Sequence, residues 1–143
     1  MEYLPDYTRI LKQGGIIALA TSVNDKPNVR IVNYCCDETN PSVLYFATGF
    51  DSGKISELEE NESAAFTTIP KSHDDTPHVR AYNASVCKSE LFLNDVKDLF
   101  LAHSPGLAET FEMIGDSLSV YEIHVKDADV IVDMLEIGKV SFN

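Results

Sequence analysis

The sequence predicts one mainly β domain over residues 1–143, a closed or nearly closed antiparallel barrel with a few helices. Three observations support this fold class. A length of 143 residues fits a single domain with its own core. Six or seven short apolar segments are joined mostly by tight polar turns, which is typical of antiparallel sheets. The helical segments are too few to supply the long crossovers that parallel strands need.

The first half of the chain holds most of the predicted turns. A helix over residues 4–12 ends at Gly14-Gly15, and the residues at 24–27 join two strands into a hairpin. In the short helix predicted over residues 52–60, we expect Leu58 to face inward and Glu57 to face outward. The predicted elements are, in order, a helix over 4–12, strands over 16–23, 28–36 and 43–48, a helix over 52–60 and a strand over 64–69.

The second half adds a long strand, two helices and the last strands. Apolar residues recur at helical spacing after Asn94 and again after Ser104-Pro105, where Ser caps the helix and Pro fits its first turn. Gly115 ends the second of these helices. We expect both apolar stripes to cover the barrel rather than to line a ligand site. The predicted strands here cover 78–88, 119–126, 128–134 and 137–142.

The charge balance excludes several classes of partner. With 11 Lys+Arg against 23 Asp+Glu, the formal net charge of -12 would repel DNA, RNA and anionic membranes. No apolar run approaches the roughly 20 residues that span a bilayer, and the first residues lack the features of a signal peptide. A cytoplasmic location is the expectation. The three cysteines and four histidines show no zinc-binding spacing, so no metal site is predicted.

Three of the few cations, Arg30, Lys54 and Arg80, lie on or just beyond strand patterns. Isolated cations at strand edges in an acidic chain indicate a small, local anion such as a cofactor phosphate. Near Lys54, a strand ends at Thr48 and a helix begins near Ser52. The first N–H groups of that helix have no intrahelical partner. Together with the hydroxyls of Thr48 and Ser52 and the ammonium of Lys54, they could bind a phosphate.

Simpler interpretations stay open for the same residues. Ser52 could be only an N-cap and Lys54 a solvated side chain. Arg80 could form an ion pair with one of the many acidic groups. Arg30 strengthens the phosphate interpretation if the second and third strands pair, because its guanidinium could then approach the end of the third strand and hold phosphate through two parallel hydrogen bonds.

Cysteines and histidines offer weaker candidates. Cys35 and Cys36 could be a redox pair, but adjacent strand residues more often pack on opposite faces as small hydrophobic groups, and the same applies to Cys87. His78 and His124 lie in strand patterns and could donate protons, although structural or surface roles are commoner. The sequence therefore names no catalytic residue.

The chain resembles the pyridoxamine 5′-phosphate oxidase-like family of FMN-binding split barrels. The resemblance covers about half of the chain and implies a six-stranded antiparallel split β-barrel. It also implies a homodimer with FMN at the subunit interface and a small-molecule reductant or substrate. The segments that carry the resemblance are residues 15–22, 26–32, 44–48, 52–58 and 79–84.

The resemblance also assigns roles to residues. Arg30 would contact the FMN phosphate, and the segment of Thr48, Ser52 and Lys54 would complete that site. The backbone of the second strand from residue 31 to 34 would face the flavin ring. Arg80 and Tyr82 on the fifth strand are weaker correspondences. On the second strand, the flavin-binding residues that the resemblance implies are Ile31, Val32 and Asn33.

One departure from the family pattern restricts the activity. Pyridoxamine phosphate oxidases end with an Arg-x-His-like substrate segment, whereas this chain has no arginine after Arg80 and no tryptophan. The sequence therefore argues against vitamin B6 oxidation. It leaves open an FMN-dependent oxidoreductase of unassigned substrate, a protein that binds or stores flavin or another phosphorylated ligand, and a barrel that has lost its pocket.

Overall fold

The structure is a computed structural model that describes residues 1–49 and 53–143. Ser52 lies outside the described residues. The α-helices are α1 (Leu4–Gln13), α2 (Gly53–Glu60), α3 (Leu93–His103) and α4 (Leu107–Ile114). The strands are β1 (Ile16–Val23), β2 (Lys26–Asn33), β3 (Cys35–Cys36), β4 (Val43–Gly49), β5 (Ser63–Thr68), β6 (His78–Lys88), β7 (Leu118–Ile131) and β8 (Ile137–Ser141).

The strands form one antiparallel sheet that curls into a half-barrel. The order is β2-β1-β5-β6-β7-β4-β3, and β8 pairs with β7 beside this path. The mainly β antiparallel class is therefore confirmed, while the expected count of six strands is wrong, because eight strands are described. The two ends of the path, β2 and β3, are consecutive in the chain and are separated by Tyr34 alone.

The prediction of one strand over 28–36 is also wrong, because the strand is interrupted at Tyr34. Residues 26–33 pair with β1, whereas Cys35 and Cys36 pair with Tyr45 and Leu44 on β4. The chain thus leaves one edge of the curled sheet and joins the other. Among the described residues β2 does not pair with β4, so the pairing assumed for Arg30 does not occur.

The β1–β2 hairpin turns at two residues with left-handed backbone conformation. Asn24 and Asp25 have φ values of 52° and 64°. Asn and Asp tolerate positive φ better than other non-glycine residues, and two such residues suit a tight hairpin turn. The turn is shorter than the predicted 24–27, since Lys26 and Pro27 already pair with Val23 and Ser22.

The longest strand, β7, organises one side of the sheet. It pairs with β6, β4 and β8 and replaces the two strands predicted over 119–126 and 128–134. The register between β6 and β7 shifts near Asn83. Such irregularities increase local twist and let one long strand curve around the barrel.

Two apolar clusters hold the fold together. The larger fills the concave side of the sheet and includes Leu19, Phe46 and Ile123, each fully buried. The smaller lies between the opposite face and α3–α4, where Phe100 and Phe111 meet edge to face with centroids 5.7 Å apart. None of the helices among residues 1–49 and 53–143 combines the length and hydrophobicity that a bilayer crossing requires.

Candidate functional site

Arg30 contacts α2 rather than the end of the third strand. It lies near the middle of β2, opposite Leu19 of β1. Its guanidinium donates to Glu57 Oε1 in an ion pair from which solvent is partly excluded. Because a guanidinium carries five N–H donors, Arg30 retains donors for a second acceptor.

Glu57 is the centre of this contact. Thr21 Oγ1 donates to Glu57 Oε2 over 2.7 Å, and Asn28 Nδ2 donates to Oε1 over 3.3 Å. The hydrogen bonds from Arg30 and Thr21 lower the pKa of the Glu57 carboxyl. The side chain expected to face outward is therefore a polar link between α2 and the β1–β2 hairpin.

Lys54 lies in the first turn of α2, one turn before Glu57. Burial lowers the pKa of Lys54, and the positive charge of Arg30 lowers it further, against the opposing effect of Glu57. The two cations are thus close enough to repel each other. A bound dianion would relieve this repulsion, since an opposite charge favours the charged form of a lysine.

Lys54 also lines an open cleft of about 220 Å³ between β2 and the α3–α4 pair. One wall is formed by Ile31, Val32 and Asn33 of β2. The opposite wall is almost wholly apolar, with Thr110 as its polar member. The apolar members of that wall are Ala47, Phe100, Leu107, Phe111, Ile114 and Leu118.

The β2 wall offers main-chain hydrogen-bonding groups. In the part of the chain that the structure describes, β2 pairs with β1 on one side only. An edge strand presents a row of N–H and C=O groups that lack sheet partners. The cleft therefore joins three features: positive charge, an apolar wall, and a backbone edge able to exchange hydrogen bonds with a ligand.

The structure thus brings Arg30, Ile31, Val32, Asn33 and Lys54 to one region. The remaining predicted residues lie elsewhere or are not described. Thr48 is buried and pairs with Ser119, so it lies inside the sheet and does not line the cleft. Ser52 is outside the described residues.

Arg80 forms an ion pair away from the cleft lining. Its guanidinium donates to Asp129 Oδ2, while Lys139 Nζ donates to Asp129 Oδ1 over 2.6 Å. Lys139 also lies 5.0 Å from the centre of the Tyr82 ring. This contact is the ion pair considered above as the alternative for Arg80. It explains the position of the Arg80 side chain with no bound ligand.

Sequence reasoning missed two parts of this region. The stripe over α3 and α4 covers the sheet as predicted, but Leu107, Phe111 and Ile114 also form the apolar wall of the cleft. Helical periodicity could not show this second role, because it reports a buried face and not what that face meets. Glu57 was missed because it lies among other acidic residues that point to solvent.

A sequence profile described as pyridoxamine 5′-phosphate oxidase-like matches residues 5–138 of the chain. No curated protein sequence matches. Among solved structures, the chain is similar to a heme binding protein from Mycobacterium smegmatis, with a TM-score of 0.74 and 12% identity. That alignment covers 96% of this chain and 57% of the other, so the chain spans little more than half of that protein.

Two further structures align with this chain over nearly all of their own length. A protein from Clostridium acetobutylicum, related to general stress protein 26 and assigned to the pyridoxinephosphate oxidase family, aligns with a TM-score of 0.73 and 9% identity, covering 99% and 95% of the two chains. A FAD-binding protein from Mesorhizobium loti aligns with a TM-score of 0.64 and 13% identity, covering 87% and 90%. At these identities the likeness shows a shared fold.

Proposed function

The chain belongs to the pyridoxamine 5′-phosphate oxidase-like family, and from this premise we propose that it is a homodimeric FMN-binding oxidoreductase. The proposed site is the cleft between β2 and α3–α4. The observation that carries the proposal is the position of Lys54, which lines the cleft and is close enough to Arg30 for their charges to interact. A cytoplasmic location is part of the same proposal.

The chemistry of the cleft suits the parts of FMN. Arg30 and Lys54 would neutralise the phosphate, and Arg30 could do so while keeping its contact with Glu57. The apolar wall around Phe111 would exclude water from the ring, and the free edge of β2 at 31–33 would exchange hydrogen bonds with the polar side of the ring. Thr48, Ser52 and Arg80 stay predicted contacts.

The size of the cleft supports a role for a second subunit. Ligand sites usually enclose about 300–1,000 Å³, so an open cleft of about 220 Å³ would cover only part of a flavin. Beside it, Val29 and Ile31 on the outward face of β2 are 63% and 58% exposed. Exposed aliphatic groups next to an incomplete site favour a dimer that closes it.

A bound flavin would supply the redox chemistry, and this chain would orient it. Among the described residues that line the cleft, none is a carboxylic acid, a histidine or a cysteine. Lys54 is the one cleft-lining residue among those described whose side chain ionises, and its ammonium is assigned to the phosphate; the other side chains there can bind a ring and exclude water. Because no cysteine lines the cleft among the described residues, we expect a small-molecule reductant to supply the electrons.

Comparison of FMN with riboflavin tests the phosphate assignment. In Arg30→Ala/Lys54→Ala we expect FMN affinity to fall at least about 100-fold, since each hydrogen bond to a charged group contributes roughly 1.5–3 kcal/mol. Riboflavin affinity should change little. Quenching of flavin fluorescence on titration gives both constants.

Arg9→Ala/Lys71→Ala is the matched control, because it removes the same charge from exposed positions outside the cleft. If both double variants lower FMN affinity equally, the effect is one of net charge and the assignment fails. A Soret band instead of flavin bands in the freshly purified protein would also contradict FMN as the cofactor.

Steady-state oxidation of NADH and NADPH by the FMN-loaded protein tests the oxidoreductase part. Turnover that requires FMN and is lost in the Arg30→Ala/Lys54→Ala variant supports it. Tight FMN binding without turnover with any reductant would instead identify a flavin-binding or storage protein.

A further inference from the structure

A second group of chemically reactive side chains lies on β6 and β7. Cys87, Glu122 and His124 each present one ligand atom, and these three atoms lie within 4.8 Å of one another. None of the three lines the cleft described above. The sequence showed no metal-binding spacing here, since Cys87 is 35 positions before Glu122 and only strand pairing brings them together.

Strand geometry fixes this arrangement. Cys87 lies directly opposite Glu122 in the β6–β7 ladder, and Ser85 lies opposite His124. Residues two apart in a strand share a face, so Glu122 and His124 point to the same side of the sheet, where Cys87 is exposed. The three side chains therefore rest on two paired strands rather than on a mobile loop.

The donor set is one that zinc prefers. Zinc sites use Cys sulfur, His nitrogen and Asp or Glu oxygen, and three protein ligands leave the fourth tetrahedral position to water or to a small ligand. Bond lengths of about 2.0–2.3 Å place tetrahedral ligand atoms roughly 3.3–3.8 Å apart. The three ligand atoms are at most 4.8 Å apart, so side-chain rotations that move them by about 1 Å would reach that geometry.

Two of the proposed ligands already meet, and a third group holds one of them. His124 Nε2 lies 2.9 Å from Glu122 Oε1, a contact that a bound metal ion would replace. The Ser89 hydroxyl donates to the other carboxylate oxygen, Glu122 Oε2, over 2.6 Å. Hydrogen bonds to the outer atoms of a ligand hold it in position and strengthen metal binding. Burial raises the pKa of the Cys87 thiol, and the carboxylates of Glu122 and Glu62 raise it further; the same negative charges attract a cation.

We propose that Cys87, Glu122 and His124 form a binding site for a divalent transition metal, with Zn²⁺ as the ion that fits best and one coordination position open to solvent. The Cys87 thiol binds as the thiolate and releases its proton to the buffer. Ser89 is a positioning residue that acts through Glu122. The site is independent of flavin binding.

Cobalt and zinc titrations of the chelator-treated full chain test this proposal. We expect one Co²⁺ per chain with a thiolate-to-cobalt charge-transfer band, displaced by one equivalent of Zn²⁺. Cys87→Ser should abolish the band, and Cys87→Ser and His124→Ala should each lower Zn²⁺ affinity at least about 100-fold, as loss of one of three ligands requires. Ser89→Ala should lower it about 10-fold, with the charge-transfer band retained.

Cys36→Ser and His73→Ala are the matched controls, since they remove the same ligand types at positions outside the cluster. Both should bind Zn²⁺ as the unaltered protein does. Absence of Zn²⁺ binding at micromolar concentration, or equal losses in the control and cluster variants, would overturn the proposal. Circular dichroism of each variant separates loss of ligands from loss of fold. The wild-type cobalt spectrum gives a readout that needs no variant.

Discussion

Glu57 shows how a single residue can set the charge of the candidate site. Its carboxylate accepts hydrogen bonds from Arg30, Thr21 and Asn28, and it partly offsets the two cations beside it. The same residue therefore tethers α2 to the hairpin and competes with any incoming anion for Arg30. Removal of its charge should separate these two roles.

We expect Glu57→Gln to tighten FMN binding by about 3–10-fold. Glutamine keeps the shape and some hydrogen bonds, while the loss of one negative charge near a phosphate contributes on the order of 1 kcal/mol in a partly exposed site. Fluorescence titration with FMN measures the change, and riboflavin serves as the uncharged reference. Weaker FMN binding would show instead that Glu57 is needed to orient Arg30.

Asp129 gives a pH-dependent prediction at the same scale. Hydrogen bonds from Lys139 and Arg80 lower the pKa of this carboxyl, whose side chain is only 7% exposed. A lowered pKa in the folded state means that the ionised form contributes stability above the unfolded pKa of about 3.9. That contribution is lost as the pH falls below this value and through the folded pKa.

Asp129→Asn should therefore lower the free energy of unfolding at pH 7, by on the order of 1 kcal/mol because both cations are largely exposed. The difference from the unaltered protein should shrink in acid. Urea unfolding at neutral pH and again below the unfolded pKa measures both values. A difference that stays constant or grows toward low pH would contradict the ion-pair explanation.

At the scale of elements, the interruption between β2 and β3 at Tyr34 places these two consecutive strands at opposite edges of the sheet. The Tyr34 side chain is fully buried, and its hydroxyl donates to the carbonyl of Leu11 over 2.6 Å. This bond ties the last turn of α1 to the point where the chain passes from β2 to β3. Tyr7 on the same helix is equally buried, but among the described residues no group forms a hydrogen bond with its hydroxyl.

The two tyrosines make a matched pair for mutation. Tyr34→Phe removes the shorter of two hydrogen bonds to the Leu11 carbonyl, which also accepts from the Gly14 N–H over 3.3 Å, and should lower the free energy of unfolding by about 1 kcal/mol. Tyr7→Phe removes a buried hydroxyl that forms no bond, so stability should stay within about 0.5 kcal/mol or increase. Chemical denaturation of both variants measures the difference. Equal losses would contradict the assigned role of the Tyr34 bond.

At the scale of the whole molecule, β2 forms the first edge of the half-barrel and, among the residues that the structure describes, pairs on one side only. The outward face of β2 exposes Val29 and Ile31 beside a cleft that is too open to enclose a flavin. An exposed apolar strand edge is a surface that proteins usually cover. A second copy of the chain, as proposed above, would cover this face and close the cleft at once.

Val29→Asp should weaken the dimer at least about 100-fold, because an unpaired carboxylate would have to be buried at the interface. Analytical ultracentrifugation measures the oligomeric state. Leu135→Asp is the control, since Leu135 is 98% exposed on the β7–β8 hairpin, outside the β2 face. A monomeric unaltered protein, or a Val29→Asp variant that dimerises normally, would contradict an interface on this face.

The local elements were predictable where one signal dominated. The limits of β1 and β6 agree with the predicted 16–23 and 78–88. In both cases turn residues lie at the two ends of a segment in which apolar residues recur at strand spacing. The family resemblance is confirmed as well. The predictions that failed, such as the strand over 28–36 and the separate strands near 128, depended on which neighbour each segment pairs with.

The sequence by itself determined the class of fold, the family and the scarcity of positive charge that draws attention to Arg30 and Lys54. Only the tertiary structure decided that Arg30 meets Glu57, that Arg80 meets Asp129, and that α4 forms the far wall of the cleft. The physical reason is that periodicity and turn residues report local geometry within a few positions. Contacts between residues dozens of positions apart depend on strand order and on the curl of the sheet.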